Sequence, residues 1–337
     1  MKNTICFDDV LLQPQFSDIL SRSEIDLSVK IGRGFKLDIP IISSPMDTVT
    51  SSEMTTSISK MGGLGIIHRY NSISEQSDLV REAIDDGASR VGAAIGVSGD
   101  YLDRAANLVA AGARIICVDI AHGHHAMMRY ALETLKNTYG SAIHFMAGNV
   151  ATLEAFNALS DWGADSIRVG IGGGSICSTR VHTGHGTPTL QSIIDCSSSD
   201  RDSVMIADGG IRTSGDIVKA LAAGADCVML GSLLAGTNES PGEIVYFDGH
   251  ANKVYRGMAS KDAQIEWRGH TASIEGVSTT VAIKGAASDV ISELVTGIRS
   301  GLSYSGARTI LEMQAKSKFI KQTHAGSIES STHINMK

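Results

Sequence analysis

The amino-acid sequence predicts an α/β fold, a (β/α)8 TIM barrel with a mobile flap after strand 8. Three observations support it: eight short apolar runs, amphipathic segments between them, and polar or glycine-rich residues where several runs end. Apolar runs with little alternation are typical of parallel strands buried on both faces. By length, 337 residues suit about two domains, but α/β barrels of this length also form one domain.

The predicted strands and helices alternate along the chain. The strands are Ile39–Met46, Leu64–His68, Val91–Gly96, Ile115–His122, Ile143–Asn149, Ser166–Gly172, Val204–Gly210 and Cys227–Ser232. The helix-like segments include Ser74–Asp85, Tyr101–Ala111, Met127–Thr138, Thr152–Trp162 and Ser214–Ala223, and two more follow the last strand at Ser288–Arg299 and Ser305–Lys316. A doubly wound open sheet is the main alternative to a barrel.

A Gly-Ala dipeptide closes four of the helix-like segments. It begins at Gly87, Gly112, Gly163 and Gly224, each time directly before an apolar run. Glycine just beyond a helix end adopts the left-handed cap conformation without steric cost. The repetition of helix, Gly-Ala and strand therefore favours a repeated βα unit, and eight such units form a barrel.

The chain changes character after the eighth strand. Glu243–Phe247 and Lys253–Arg256 flank turn residues and predict a hairpin. The polar stretch at about 260–280 has no clear period and predicts a mobile flap, because long structureless segments in compact domains usually serve function. The polar tail at about 322–337 is expected to be loose unless a ligand or a neighbouring subunit orders it. We expect one catalytic barrel domain over residues 1–337.

Composition and charge argue against several classes of function. The net charge of −7 disfavours a nucleic-acid partner, which would require a basic face. No run approaches the roughly 20 apolar residues of a membrane span, and the N-terminus lacks the apolar stretch of a signal peptide. The five cysteines form no CxxC pair, and their odd number is typical of free thiols. We therefore expect a cytoplasmic protein without nucleic-acid or membrane partners.

The strongest local feature is a glycine run that ends in a cysteine. Gly170–Gly174 leaves the sixth strand, and Cys177 follows in a Ser-Ile-Cys-Ser-Thr-Arg sequence. Bare backbone permits close contact with a ligand, and an exposed thiolate can act as a nucleophile. The alternative is a structural loop with an incidental thiol. Cys117 and Cys227 lie inside apolar runs and are interpreted as core residues.

Two further strand ends suggest a phosphate and sugar site. Asp208-Gly209-Gly210 follows the seventh strand, and Gly231-Ser232 follows the eighth. Barrel enzymes often hold phosphate with the loops after these two strands, through backbone N–H groups. Asp208 would accept hydrogen bonds from ribose hydroxyls. The alternative is a pair of ordinary glycine turns.

Two other features admit competing interpretations. His122, His124 and His125 could ligate a metal, but no further ligand stands nearby at a recognisable spacing, so metal binding is disfavoured. Trp267 and Arg268 in the predicted flap could close over a ligand or could be an anchor and a solvated charge.

At these residues the chain resembles the IMP dehydrogenase and GMP reductase family, nearly from end to end. The glycine–cysteine loop and the Asp-Gly-Gly stretch are together highly specific. Similar segments include Phe7–Leu12, Met46–Thr50, Ala147–Val150, Gly172–Arg180, Ala207–Arg212 and Tyr255–Met258. The resemblance implies the barrel fold and makes Cys177 the expected nucleophile.

The resemblance also implies roles for individual residues. The Cys177 thiolate would attack C2 of a bound purine nucleoside monophosphate, and Thr179 and Glu275 match the pair implicated in proton transfer. The nucleotide would meet Ser44, Met46, Arg168, Ser175, Asp208, Gly210, Gly231, Ser232, Tyr255, Gly257 and Met258. The nicotinamide cofactor would lie near Asp119, Gly172 and Gly174.

The family contains two activities, and the sequence carries signs of both. Glu266-Trp267-Arg268 before Glu275 resembles the reductase, and the flap has no Arg-Tyr pair of the kind that dehydrogenases use for hydrolysis. Only a short connection, 84–90, stands where dehydrogenases usually insert a pair of CBS modules. In contrast, Ala121–His124 and the tail resemble the dehydrogenase branch. We favour a GMP reductase using NADPH over an IMP dehydrogenase using NAD; a non-catalytic nucleotide-binding protein is a further alternative.

The resemblance implies two more properties. A monovalent cation such as potassium would bind at carbonyls of the cysteine loop, completed by the tail, through the residues Gly172, Gly174, Cys177, Glu329, Ser330 and Ser331. The family also implies a homotetramer with the site near subunit interfaces.

Overall fold

A computed structural model shows eight parallel strands that close into a barrel, which confirms the predicted fold class. It describes residues 1, 3–32 and 34–330. Three short strands precede the barrel: β1 (Val10–Leu12), β2 (Val29–Lys30) and β3 (Lys36–Leu37). The barrel strands are β4 (Ile41–Ser43), β5 (Leu64–Ile67), β6 (Val91–Ile95), β7 (Ile115–Asp119), β8 (His144–Val150), β9 (Ser166–Val169), β10 (Val204–Asp208) and β11 (Cys227–Leu230). Each lies within a predicted apolar run or one residue beyond it, and β11 pairs with β4 to close the ring.

Helices connect successive barrel strands. They are α1 (Ser52–Lys60), α2 (Ile73–Asp85), α3 (Tyr101–Ala111), α4 (Ala126–Tyr139), α5 (Leu153–Asp161), α6 (Thr179–Thr183), α7 (Thr189–Cys196) and α8 (Ser214–Ala222). The helix α2 begins at a capping box, in which Ser72 and Glu75 each accept a hydrogen bond from the other's backbone N–H. The glycines of the four Gly-Ala dipeptides all have positive φ, as their cap role predicts.

The barrel separates two groups of buried apolar side chains. One contains strand residues that face inward, such as Ile42, Leu64 and Met146, together with Ile31 and Leu37 from the β2–β3 hairpin. The hairpin therefore closes the barrel at the end where the strands begin. The same inner group contains both cysteines assigned to the core: Cys117 and Cys227.

The segment at about 260–280 is not structureless, and that part of the prediction is wrong. It contains α9 (Lys261–Arg268), and β14 (Ser278–Ala282) joins β12 (Ile244–Phe247) and β13 (His250–Arg256) in an antiparallel sheet. Ser260 caps the helix by accepting from the Ala263 N–H. The Gln264 amide donates to the carbonyls of Ala259 and Ser273 and so closes the following loop. Hydrogen bonds from side chains to the backbone order this segment, and such bonds do not produce a periodic pattern of apolar residues in the sequence.

The predicted C-terminal helices are present but shifted, as α10 (Ala287–Tyr304) and α11 (Ile310–Lys316). The tail is ordered as far as it is described, contrary to expectation. The strand β15 (Phe319–Lys321) pairs with β1, and α12 (His324–Glu329) follows. Gln322 explains this order, because its backbone and side-chain N–H groups donate to the Asp9 and Asp8 carbonyls. Within the described residues, no helix has the length and apolar character needed to cross a membrane.

Candidate active site

A cleft of about 450 Å³ opens where the barrel strands end. This volume is in the range of small-molecule sites. Every residue assigned above to catalysis, nucleotide binding or cofactor binding lines it: Ser44, Met46, Asp119, Arg168, Gly172, Gly174, Ser175, Cys177, Thr179, Asp208, Gly210, Gly231, Ser232, Tyr255, Gly257, Met258 and Glu275. The fold thus brings residues from across the chain to one place, while their roles stay predictions.

A buried arginine joins two aspartates on the floor of the cleft. Arg168 donates to Asp119 at 2.5 Å and to Asp208 at 2.9 Å and 3.1 Å. Burial opposes the charge of Asp119, but the Arg168 and Arg69 guanidinium groups outweigh burial and hold the pKa of that carboxyl below its usual range. Both aspartates end barrel strands, so the arrangement follows from parallel strands that stop at one level.

Asn149 is a residue of this network to which the sequence interpretation assigned no role. Its amide donates to the Asp208 carboxylate at 2.8 Å and to the Gly170 carbonyl at 2.9 Å. It therefore connects the Asp-Gly-Gly turn to the start of the glycine loop. The signal was present, because Asn149 lies within the Ala147–Val150 segment that carried the resemblance.

The glycine loop requires two of its glycines for close packing. A Cβ on Gly170 would lie 1.9 Å from the Asp208 carbonyl oxygen, and a Cβ on Gly173 would lie 2.3 Å from Thr189 Oγ1. The loop therefore lies directly on the Asp208 turn, as its glycine content suggested.

Cys177 is exposed at the rim of the cleft, and its Sγ lies 3.1 Å from Thr179 Oγ1. The other thiols are less available for reaction. Burial raises the pKa of Cys117 and of Cys196 to about 12, and it raises the pKa of Cys227 and Cys6 as well. A thiol must lose its proton to act as a nucleophile. Exposure and location together single out Cys177 among the five.

The segment 275–277 pairs with the cysteine loop in the manner of a short strand. The Ser178 N–H donates to the Glu275 carbonyl at 2.8 Å, and the Val277 N–H donates to the Ile176 carbonyl at 3.0 Å. This pairing brings Glu275 beside Cys177 and Thr179. The Glu275 carboxylate accepts a hydrogen bond from the Ser273 hydroxyl at 2.8 Å.

The flap is attached to the barrel at two places. Arg256 donates to Asp47 at 2.6 Å and 2.9 Å and pairs with Glu266 on α9 at 2.6 Å. Trp267 stacks on Tyr70, with ring centroids 5.6 Å apart. Trp267 is therefore an anchor, the second of the two interpretations that its sequence allowed.

Other residues that the sequence interpretation did not assign also line the cleft. Arg69 lies 3.5 Å from Asp119, and the Tyr70 hydroxyl donates to the Met258 carbonyl at 2.7 Å. Arg268 lines the cleft and forms no ion pair with any described residue. Arg268 was considered from the sequence together with Trp267, and its place on the cleft lining agrees with the first interpretation. No sequence pattern marks Arg69 or Tyr70, because their positions follow from how the barrel and the flap meet.

The end of the cleft near Gly231 is built from small and hydroxyl-bearing residues. The Ser175 and Tyr255 hydroxyl oxygens lie 3.5 Å apart. Burial raises the pKa of Tyr255, so its hydroxyl keeps its proton at neutral pH and can donate. A Cβ on Gly231 would lie 3.2 Å from both Tyr255 Oη and Met46 Sδ, so a larger residue here would press on two residues that line the cleft.

The comparisons with known proteins agree with this geometry. The family model described as "IMP dehydrogenase / GMP reductase domain" matches residues 4–333. The chain belongs to the IMP dehydrogenase / GMP reductase family. Its members named in these comparisons are oxidoreductases, as the sequence interpretation expected.

Similar proteins in this family carry either name. The chain is 34% identical to an inosine-5'-monophosphate dehydrogenase of Nitrosopumilus maritimus (98% of each protein covered) and 32% identical to a GMP reductase of Leishmania major (98% of this chain and 96% of that protein). A crystal structure of a cysteine-to-alanine variant of Trypanosoma brucei GMP reductase in complex with guanosine 5'-monophosphate has a TM-score of 0.94 at 32% identity, over 99% of this chain and 98% of that chain. Because similar proteins carry both names, family membership by itself does not distinguish GMP reductase from IMP dehydrogenase activity.

The cation site predicted by resemblance has its two halves on different elements. Gly172, Gly174 and Cys177 share the cysteine loop. Glu329 ends α12, and Ser330 follows it; neither residue lines the cleft. Ser331 lies outside the described residues. The described residues also contain no group of three His, Cys, Asp or Glu side chains placed to hold a metal ion. The potassium site stays a prediction.

Proposed function

We propose that this protein is a GMP reductase that converts GMP to IMP and ammonia with NADPH. One observation carries the proposal: Cys177 and Thr179 share the rim of the cleft with Glu275, which the flap supplies. This set provides a nucleophile and two groups that can exchange a proton with a leaving amine.

The nucleotide is proposed to lie across the mouth of the barrel. Asp208 would accept hydrogen bonds from ribose hydroxyls, since Arg168 and Asn149 hold its carboxylate in place. The phosphate would lie at Gly210, Gly231 and Ser232, in the loops after the last two barrel strands. The purine would then face Cys177, from the opposite side of the cleft. The GMP complex of the similar Trypanosoma brucei enzyme supports a purine nucleotide as the ligand.

The proposed chemistry balances as GMP + NADPH + H⁺ giving IMP + NADP⁺ + NH₃. The Cys177 thiolate forms a bond to purine C2, and Thr179 with Glu275 delivers the proton that lets the 2-amino group leave as ammonia. The cofactor supplies the hydride that C2 receives. The C2–S bond then breaks, and Cys177 recovers its thiolate.

The cofactor is proposed to occupy the part of the cleft next to the cysteine loop. Asp119, Gly172 and Gly174 line this part, together with Arg69, whose guanidinium could face an anionic group. The bare backbone of the glycine loop allows a planar ring to approach closely. NAD would replace NADPH if the enzyme ran in the dehydrogenase direction.

The flap favours reductase over dehydrogenase. Hydrolysis of the Cys177 adduct would require a group that activates water, and the flap has no Arg-Tyr pair for this role. Its only nearby counterpart is Trp267-Arg268, and stacking on Tyr70 occupies Trp267. IMP dehydrogenase is the second candidate, because relatives with that name are at least as similar as those named GMP reductase.

One assay tests the proposal: purified protein is mixed with GMP and NADPH, or with IMP and NAD, while nicotinamide absorbance is followed. We expect turnover in the first mixture. Turnover only in the second would identify a dehydrogenase, and nucleotide binding without turnover in either would identify a binding protein. Cys177→Ala should abolish turnover but retain nucleotide binding, whereas Cys6→Ser, outside the cleft, should remain active.

Three further properties stay proposals on the resemblance alone: a homotetramer, use of a monovalent cation such as potassium, and a cytoplasmic location. Sedimentation and turnover in potassium-free buffer test the first two.

A further inference from the structure

The turn after β11 forms one end of the cleft. Gly231 and Ser232 line the cleft, and the Leu234 and Ala235 N–H groups donate to the Gly231 carbonyl at 3.0 Å and 2.9 Å. No described residue accepts a hydrogen bond from the N–H of Ser232 or Leu233. Both N–H groups are therefore without an acceptor among the described residues; Ser232 lines the cleft, and Leu233 is the next residue along the turn.

A lysine from the flap sheet holds the opposite side of this turn. Lys284 lies two residues beyond β14, and its Nζ donates to the Ser232 carbonyl at 2.6 Å and to the Leu233 carbonyl at 3.2 Å. Its own N–H donates to the Gly236 carbonyl at 2.9 Å, which fixes its backbone to the same segment. The side chain forms no ion pair with any described residue, so carbonyl oxygens are its partners.

The geometry of the peptide unit connects these carbonyls to the free donors. In a trans peptide, the C=O of one residue and the N–H of the next point in opposite directions. Fixing the Ser232 carbonyl therefore also fixes the direction of the Leu233 N–H. The ammonium charge adds an attraction for an anion that binds on the far side of the turn.

We propose that Lys284 is a positioning residue for the phosphate end of the cleft. Its ammonium group orients the Ser232–Leu233 peptide, and with it the Leu233 N–H, for the phosphate before the nucleotide arrives. This inference rests on the proposed nucleotide site, and it assigns a role to a residue outside the cleft.

A second lysine, Lys253, holds a later part of the same segment. Lys253 on β13 donates to the carbonyls of Thr237, Asn238 and Ser240 at 2.9, 3.0 and 2.6 Å. Lys253 holds the distant part of the segment, whereas Lys284 holds the part that lines the cleft. Only loss of Lys284 is therefore expected to act on phosphate binding.

The test compares Lys284→Met and Lys284→Arg with Lys30→Met, which changes the charge equally on β2 at the other end of the barrel. We expect Lys284→Met to weaken GMP binding by about tenfold in calorimetry while guanosine binding changes by less than about twofold. Lys284→Arg should restore most of the GMP affinity, and Lys30→Met should bind like the parent protein. Amide hydrogen exchange without ligand should speed up in residues 231–235 of Lys284→Met.

The remaining outcomes separate this proposal from the proposed function. Unchanged GMP affinity in Lys284→Met, or equal losses for GMP and guanosine, would overturn the positioning role even if the parent protein is a reductase. A parent protein that binds no purine nucleotide would refute the proposed function. Unchanged exchange at 231–235 would then refute the ordering of the turn as well. If Lys284→Met does not fold, Lys284→Gln, which keeps an N–H donor group but removes the positive charge, replaces it.

Discussion

Among the arginines that each bridge two carboxylates, one lies inside the barrel and another joins the barrel to the flap. Arg168 joins Asp119 and Asp208, and all three side chains are at most 17% exposed. Arg256 joins Asp47, which is 8% exposed, to Glu266, which is 70% exposed. The first bridge is largely buried at both ends on the floor of the cleft, whereas the second has one buried end and one end in solvent.

The pKa values of the aspartates show what the difference means. At Asp119, two guanidinium groups outweigh burial, and the pKa lies below its usual range. At Asp47, burial outweighs the attraction of Arg256, and the pKa lies above its usual range. An ion pair in the barrel floor thus keeps its charges firmly, while the flap attachment holds a carboxylate that takes up a proton more readily.

The largest expected effect is on the barrel bridge. Arg168→Met should lower the free energy of unfolding by about 3–5 kcal/mol, because it leaves Asp208 without its counter-charge and Asp119 with only Arg69, at 3.5 Å. Arg256→Met should cost clearly less, since Glu266 returns to water and Asp47 can protonate. Urea denaturation at pH 7 of both variants gives the comparison. Equal losses would contradict the distinction between the two bridges.

The next effect concerns His68, a buried residue just after β5 whose pKa is affected by the charge of Arg256. Burial, assisted by the Arg256 charge, lowers the pKa of His68 from 6.5 to about 4. The unfolded chain therefore binds a proton below pH 6.5 that the folded protein refuses until about pH 4, so stability falls as the pH drops through this window. Between pH 7 and pH 5 we expect a loss of about 2 kcal/mol from this group.

His68→Gln removes that titration and should flatten the decline, as measured by denaturant unfolding at each pH. His250→Gln, at an exposed position in the flap sheet, is the matched control and should keep the parent profile. A His68→Gln profile as steep as that of the parent would show that His68 is not kept neutral by the fold.

A smaller effect is expected where the flap stacks on the barrel. Trp267→Ala should destabilise the protein by about 0.5–1.5 kcal/mol through loss of the stack on Tyr70. It should also increase amide exchange in α9, while exchange in β9 stays unchanged. Trp267→Phe, which retains a ring, is the control. Faster exchange in the barrel strands would mean that the flap and the barrel do not open separately.

The smallest effect is expected at the solvent end of the flap bridge. Glu266→Gln should change the free energy of unfolding by about 0.2–1 kcal/mol, as for other exposed ion pairs, and the change should shrink in high salt. Thermal unfolding at two salt concentrations measures it. A loss as large as that of Arg256→Met would show that the Arg256–Glu266 pair contributes more to stability than the Arg256–Asp47 pair.

The fold was predictable wherever burial imposes a pattern on the residues. Strands such as Leu64–Ile67 are apolar throughout because both faces are covered, and α3 matched its prediction at both ends. The helix α1 carried no comparable signal, since Ser52–Lys60 is rich in Ser and Thr, yet Met54 and Ile58 are fully buried. The two-residue strands β2 and β3 are too short to show any period.

The candidate site was predictable in its residues and less so in its contacts. The glycine–cysteine loop and the Asp-Gly-Gly turn carried a local pattern, because close packing and bare backbone demand glycine there. No sequence pattern indicated that Asn149 binds Asp208 or that Gln264 closes the flap loop. Such contacts join residues far apart in the chain, and each side chain alone has many possible partners.

The sequence by itself determined the barrel, the family and the candidate nucleophile, because buried strands and close-packed glycines restrict residue types locally. Only the tertiary structure decided that the 260–280 segment is ordered, that Trp267 is an anchor and that Lys284 holds the turn at Ser232. These features depend on hydrogen bonds and ring contacts between distant segments. These contacts can form only after the barrel has closed and brought the segments together.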